Sequence, residues 1–396
     1  MPDTELATET EIDAPLQENP GEMKLSKPRV LISGYYGFDN LGDELILSVL
    51  VKHLQSQGAE VSVISSNPDK TRQRHGAHAI HRMNFVELVH ALSQAHLFVS
   101  GGGGLFQDVS GPMNSFYYGG MIALARYFEV PVCFWGQGIG PLQLPATEWI
   151  TTQSLRWSEL ICVRDDNSAQ IAEHLLSNQR NGKQKIITAT DPVWLVDPPA
   201  PAPETVHHTD GAKSWIIGIS LRPSPDLTPE NIDAFAVFLK RFIEDSAKPV
   251  QLLLLPFQQE EDTPVLRQLE QALLKHNAGS FSIVDHAHVV DHLQQCHILF
   301  GMRFHSIVLA TLADVAVYGL VYDPKVRQLL KQLGLQGSDV SELKQLAEAR
   351  SVENLKQYFQ RYPAPDLEPI INQAKVNLEV LDRALLDSTA ELEVLL

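Results

Sequence analysis

The sequence predicts an α/β protein built from two Rossmann-like, doubly wound parallel-sheet domains that face a cleft. Three observations carry that prediction. Short unbroken apolar runs alternate with segments of helical spacing, a Pro-rich polar stretch interrupts the rhythm near the middle, and glycine-rich turns repeatedly close the apolar runs. Short strands without polar alternation, separated by helices, imply parallel sheets covered on both faces. A chain of 396 residues holds two domains of roughly 150 to 200 residues, each large enough to bury a core.

Residues 1–27 carry seven acidic residues among Pro, Thr and Gln, with no periodic apolar pattern, and read as a flexible tail. The first domain is expected over 28–197. RVLISGYYG reads as its first strand, and NLGDELILSVLVKHLQSQG as the helix that follows, with Gly58 as its stop. EVSVISS, LFVSGGGG, VPVCFWGQG and LICVRDD repeat the theme. The run over 198–213, rich in Pro and polar residues, is an interdomain linker. SWIIGISLRP, VQLLLLPF, FSIVD, HILFG and VAVYGLVY then read as the strands of a second domain over 214–365, and residues 366–396 as a C-terminal helix.

A net charge of −17, from 31 Lys and Arg against 48 Asp and Glu, argues against a nucleic-acid surface, which needs clustered cations. An anionic substrate must then be held by a few local cations against a repulsive global field. Cys133, Cys162 and Cys296 fall singly in apolar stretches and read as buried thiols, neither a zinc site nor a disulfide framework. The first residues lack a basic and apolar leader, and no apolar run approaches the ~20 residues that span a bilayer. The cytosol is the expected location, with contact at a membrane surface open to it.

In open parallel sheets, ligands bind beyond the carboxyl ends of the strands, so each strand-to-helix loop is a candidate site. After the first strand comes GYYGFDNLGDE, where Asn40 is placed to cap the next helix and Asp43 and Glu44 suit its dipole. Gly101, Gly102, Gly103 and Gly104 run into Gln107 and Asp108; four consecutive glycines open the backbone to a sugar face or an anion. This is neither a dinucleotide fingerprint nor a P-loop. Gln137 and Gly138 lie in a third glycine-rich loop, and Arg164 ends the strand after it. The second domain supplies cations: Arg222 closes ISLRP, Lys325 follows a strand in YDPKV, and Arg303 and His305 open a helix in GMRFHS. A guanidinium, an imidazole and free backbone N–H groups in one small volume suit an anion that must also receive a proton. The bland reading pairs Arg303 with Asp323. His75, His78 and His81 read as a loop, and His286, His288, His292 and His297 as scattered on a helical stretch; a solvated surface is expected for both groups, and no metal set is found.

Taken in order, GYYGFDNLGDE, GGGGLFQD, GQGIGP, VRDDNS, the Asp191-Pro192 pair, ISLRP, LLPFQQEED, GMRFHSIVLA and YDPKV resemble the polysaccharide pyruvyl transferase family, in its CsaB-type branch. The resemblance covers residues from about 30 to 335. It implies a glycosyltransferase-B-like fold, phosphoenolpyruvate as donor and co-substrate, no further cofactor, and a cell-envelope sugar, lipid-linked, as acceptor; the product is a pyruvate ketal. Carried over, His305 becomes the general acid, Arg303 and Lys325 donor-binding cations, and Arg164 the matching arginine across the cleft. Asn40, Asp43 and the loop from Gly101 to Asp108 would hold the acceptor. Gly104 stands where the family often has serine, and the segment 111–115 replaces one that often carries an arginine. Two other readings fit the architecture: a nucleotide-sugar-dependent glycosyltransferase and a non-catalytic carbohydrate-binding protein.

Overall fold

The computed structural model describes residues 27–109, 111–177, 186–197, 214–246 and 248–394. The expected tail up to residue 26 and the expected linker over 198–213 lie outside the described residues.

Among the described residues fourteen strands form two sheets, and their neighbours within each sheet pair in parallel. The first contains β1 (Arg29–Ser33), β2 (Glu60–Ser65), β3 (His78–His81), β4 (Leu97–Ser100), β5 (Gly103–Phe106), β6 (Val132–Ile139), β7 (Leu160–Val163) and β8 (Ile186–Thr188), in the order β3-β2-β1-β4-β6-β7-β8 with β5 beside β6. The second contains β9 (Trp215–Ser220), β10 (Val250–Leu254), β11 (Ser280–Ile283), β12 (Ile298–Gly301), β13 (Ala316–Val321) and β14 (Gly337–Asp339), in the order β11-β10-β9-β12-β13-β14. The strand order reverses between β1 and β4 in one sheet and between β9 and β12 in the other. Those reversals open the crevices where ligands of such sheets sit.

Helices α1 (Leu41–Ser56), α2 (Pro68–His75), α3 (Phe85–Gln94), α4 (Met113–Tyr127), α5 (Pro145–Arg156) and α6 (Asp166–Leu176) belong to the first domain; α7 (Pro229–Glu244), α8 (Gln259–His276), α9 (Val289–Leu293), α10 (Phe304–Leu312), α11 (Pro324–Leu333), α12 (Leu343–Leu346) and α13 (Ala349–Gln360) to the second. One face of the first sheet packs on α3 to α6 through Leu88, Ile122, Leu155 and Ala172; α1 covers the other through Leu47 and Leu50. The last helix, α14 (Glu368–Val394), returns to the first domain: Trp135 Nε1 donates to the Asn377 carbonyl (2.8 Å) and the Asn377 amide to Thr190 (2.9 Å). Among the described residues no helix is long and apolar enough to cross a membrane.

Two segments differ from the sequence reading. Residues His75, His78 and His81 end α2 and build edge strand β3, where a loop was expected, and Gly103–Phe106 is a strand on β6. Both strands have only four residues, too short for apolar periodicity to register.

Candidate active site

The domains meet where α1 begins. The Leu41 N–H donates to the Phe257 carbonyl (3.0 Å), and Asn40 and Gln258 form an isolated antiparallel bridge. Asn40 also caps α1, its side-chain oxygen accepting from the Gly42 N–H (3.1 Å). His305, in the first turn of α10, crosses the junction to lie on Gly42: a Cβ there would stand 1.8 Å from His305 Nδ1. Its Nε2 faces Asp191 Oδ2 at 3.8 Å, an ion-pair distance too long for a hydrogen bond. The second domain's imidazole is thus seated between two elements of the first.

Asp191 is buried before a 3-10 turn (Pro192–Leu195), accepting from the Val193 N–H (3.1 Å) and from Arg164 Nη1 (2.9 Å). Burial alone would raise its pKa, but His305 and Arg164 overcome that and hold it at about 2. Arg164 lies flat on Gly138, where a Cβ would be 2.6 Å from Nε. Lys325 sits at the start of α11, its backbone N–H taken by Asp323 (2.8 Å). Among the described residues its ammonium has no hydrogen-bond or ion-pair partner. Although the side chain keeps solvent access, its pKa is below the usual lysine value, first through desolvation in the cleft and then through the charge of Arg164. Two cations from opposite domains therefore share one field.

Arg303 turns toward α8. Its Nε and Nη2 bind the wholly buried Asp262 (2.5 to 3.2 Å), and Nη2 also meets Glu261 (2.9 Å). The expected Asp323 partner is not used. Burial opposes the Arg303 charge, but Asp262 and Glu261 raise its pKa above the usual value. No acceptor among the described residues engages Nη1. Arg222 stacks over Tyr322 (4.9 Å to the ring centre), donates to its hydroxyl (3.0 Å) and stands 3.9 Å from Glu261.

On the first-domain wall, much of the glycine content has an internal cause. A Cβ on Gly101 would strike the Tyr36 hydroxyl (2.2 Å), on Gly102 the Ile46 side chain (2.8 Å), and on Gly103 the Asp43 carboxylate (2.7 Å); only Gly104 faces open space. Gln137 is fully buried, its amide donating to Gly101 O and Ser100 O, so it shapes the loop from beneath. Asp108 is likewise turned inward, accepting from the Gln143 and Leu144 N–H groups (2.7 and 2.8 Å) and the Thr147 hydroxyl (2.6 Å) at the start of α5. Gln107 accepts from the Val109 N–H (2.7 Å). His75 is not a solvated histidine: it is buried against Glu44 (2.8 Å), whose other oxygen takes the Gly37 N–H (2.7 Å). His286 is also buried, against the Phe257 carbonyl (3.3 Å).

The sequence profile of polysaccharide pyruvyl transferases matches residues 40–324. The chain belongs to that family. No curated protein sequence matches it. In fold, this pyruvyl transferase family member is similar to the UDP-GlcNAc 2-epimerase of Neisseria meningitidis bound to UDP-GlcNAc, at 13% identity and a TM-score of 0.59 over 90% of this chain and 100% of that one. It is also similar to a glycosyltransferase of Rickettsia africae, at 11% identity and a TM-score of 0.56 over 92% of this chain and 97% of that one. Likenesses this distant concern the fold alone, a glycosyltransferase-B-like pair of parallel-sheet domains.

Three participants in this family member's cleft carried little signal in the sequence. Asp191 and Asp262 had appeared only within motifs, and Gly42 only as part of a loop. Each acquires meaning through a partner far along the chain: His305 for the first two and Arg303 for the third.

Proposed function

We propose that this protein is a CsaB-type pyruvyl transferase, which moves the enolpyruvyl group of phosphoenolpyruvate onto a sugar of a cell-envelope polysaccharide or its lipid-linked precursor, forms a pyruvate ketal and releases phosphate. One observation carries the reading. His305 stands at the domain junction beside two cations, Arg164 and Lys325, whose charges face each other, and no carboxylate among the described residues forms an ion pair with Lys325. Bringing like charges together is unfavourable until an anion takes the space between them. A small phosphorylated carboxylate fits that demand, and Arg303 Nη1, aimed by Asp262, adds a further donor.

Protonating the methylene carbon makes the central carbon of phosphoenolpyruvate electrophilic enough for a sugar hydroxyl to attack. His305 supplies that proton, a contribution of roughly 10² to 10⁴ in rate. Asp191, held as an anion, faces the imidazole and orients it. Arg164, Lys325 and Arg303 orient the carboxylate and phosphate and stabilise the phosphate as it leaves. Asn40 and the Gly101–Asp108 loop form the acceptor wall, with Gly104 its open glycine. A lipid-linked acceptor met at the cytosolic membrane face is supported by the exposed apolar side chains Met83, Phe85, Val86, Met113, Phe116 and Trp149. They lie around the starts of α3, α4 and α5, the ends of those helices nearest the strand termini that bear the cleft.

The fold likeness to a protein named a glycosyltransferase and to an epimerase named for UDP-GlcNAc keeps a nucleotide-sugar-dependent glycosyltransferase as the second reading. A thermal-shift comparison of phosphoenolpyruvate with UDP- and GDP-sugars separates them, since a ligand of the folded state raises its melting temperature. His305→Ala is expected to abolish phosphate release while phosphoenolpyruvate still binds, and Lys325→Ala to weaken that binding. Stabilisation by nucleotide sugars alone, or near wild-type turnover in His305→Ala, overturns the proposal.

A further inference from the structure

We infer that Asp43 is the base that accepts the proton of the attacking acceptor hydroxyl, an inference that rests on the pyruvyl-transfer reading and adds the partner that His305 requires. Asp43 lies in the first turn of α1, one residue after the Gly42 on which His305 packs. Its residue is only 8% exposed, yet its carboxylate accepts no hydrogen bond from any described residue. The helix start is capped by Asn40, so Asp43 is not needed for that work. The other buried carboxylates around the cleft are engaged: Glu44 with Gly37 and His75, Asp191 with Arg164 and Val193, Asp262 with Arg303, Asp108 with the start of α5. Gly103, at φ +114°, brings bare backbone against Asp43 Oδ1, where any side chain would collide. Carboxyls held in a cleft free of hydrogen bonds, with a perturbed pKa, collect at functional sites.

The surroundings separate two carboxyls of one cleft. Asp191 is held down at about 2, whereas burial lifts Asp43 to about 7; His305 and Arg164 oppose the lift, and Asp191 and Glu44 add to it. The charged and titratable groups facing Asp43 are His305 on α10, Arg164 after β7, Asp191 before the 3-10 turn, Glu44 on α1 itself, Tyr35 and Tyr36 before α1, and Tyr118 on α4. Paired carboxyls pushed apart in this way divide the roles of fixed anion and proton carrier.

The protons then balance. As the first hydroxyl oxygen bonds to the central carbon, its proton passes to Asp43 and the imidazolium of His305 protonates the methylene carbon, the π electrons becoming the new C–H bond. When the second hydroxyl attacks, the carbon–phosphate oxygen bond breaks with its electron pair leaving on phosphate. Neutral His305 takes the second hydroxyl's proton, and Asp43 returns its own to the departing phosphate.

The test uses the full chain with Asp43→Asn and Asp43→Glu. With phosphoenolpyruvate and a panel of lipid-linked amino sugars, Asp43→Asn is expected to lower kcat/KM for phosphate release by about 10²-fold or more. Phosphoenolpyruvate affinity by calorimetry stays within about threefold, and Asp43→Glu recovers part of the rate. The low-pH limb of the wild-type profile is missing from the residual activity of D43N. Retained kcat/KM, or loss of phosphoenolpyruvate affinity matching the loss of rate, overturns the inference. A second readout needs no turnover. A carboxyl whose folded pKa exceeds its unfolded value loses stability as pH rises between the two, so wild type falls relative to D43N between pH 4 and 7. Parallel melting profiles across that range overturn the inference as well. Absence of phosphate release by the wild type with every acceptor strikes the pyruvyl-transfer reading instead, and the melting comparison still decides whether Asp43 takes up a proton near neutrality.

Discussion

Asp262→Ala separates what Arg303 does for the fold from what it does for the donor. Asp262 is fully buried, binds Nε and Nη2 of Arg303 at 2.5 to 3.2 Å and accepts the Gln258 N–H at 2.9 Å. Removing one member of a buried pair typically costs about 3 to 5 kcal/mol, because the other charge is left uncompensated. Glu261 remains on Nη2 at 2.9 Å but is partly exposed, so the lower end of that range, about 3 kcal/mol, is expected. Replacing both members, as Asp262→Leu with Arg303→Met, removes the stranded charge and is expected to recover most of the loss. Donor affinity behaves differently: if Nη1 reaches phosphoenolpyruvate, it falls in the single variant and stays low in the double. The assay is urea unfolding of wild type, both single variants and the double, with m-values compared to confirm a common unfolded state, followed by calorimetric titration of the donor. A single-variant cost below about 1 kcal/mol would refute the buried-pair argument. Full recovery of donor affinity in the double variant would remove Arg303 from the donor site.

Gly42→Ala is expected to lower turnover by at least about 10²-fold, because its Cβ would stand 1.8 Å from His305 Nδ1 and must displace the proposed general acid. The sign is informative, since Gly→Ala within a helix ordinarily stabilises by about 1 kcal/mol; a more stable, fully active variant would refute the packing. Substituting Phe85, Val86 and Trp149 with Ser should abolish co-flotation with vesicles of mixed neutral and anionic lipid while leaving melting temperature unchanged. Equal flotation of the variant, or no flotation of the wild type, would remove the lipid-facing role of that edge.

The sheets were legible because a buried parallel strand is an unbroken apolar run, a signal that survives without partners; RVLIS and VQLLL became β1 and β10 for that reason. The set Arg303, His305 and Lys325 was legible because each follows the carboxyl end of a strand at the start of the next helix, which places it on the ligand-binding edge. The direction each side chain takes was not. Arg303 was expected to face the donor or Asp323, and it turns to Asp262, 41 residues earlier. Local periodicity contains no term for a contact of that separation. His75 was missed similarly: nothing near it in sequence announces Glu44, yet that pair anchors the first glycine loop through Gly37.

The glycines show the same limit more sharply. Read in sequence, GGGG promises bare backbone for a ligand. In the folded chain, the missing side chains of Gly101, Gly103, Gly138 and Gly42 make room for Tyr36, Asp43, Arg164 and His305. Three of those four residues are the proposed base, a proposed donor-binding cation and the proposed general acid. Glycine at these positions therefore serves the chemistry indirectly, by letting charged side chains approach the backbone closely enough to converge. The pairing of Gly42 with His305 also crosses the domain junction, as does that of Asp191 with His305. The imidazole consequently has its orienting anion and its seat only while the domains hold this relation, fastened by Leu41 to Phe257 and Asn40 to Gln258. Arg164 and Lys325 approach across the same junction and repel, so an anionic donor that bridges them favours the arrangement in which the acid is correctly placed. On the proposed reaction, binding energy gained at the donor's carboxylate and phosphate is thereby coupled to the position of the imidazole proposed to protonate its methylene carbon.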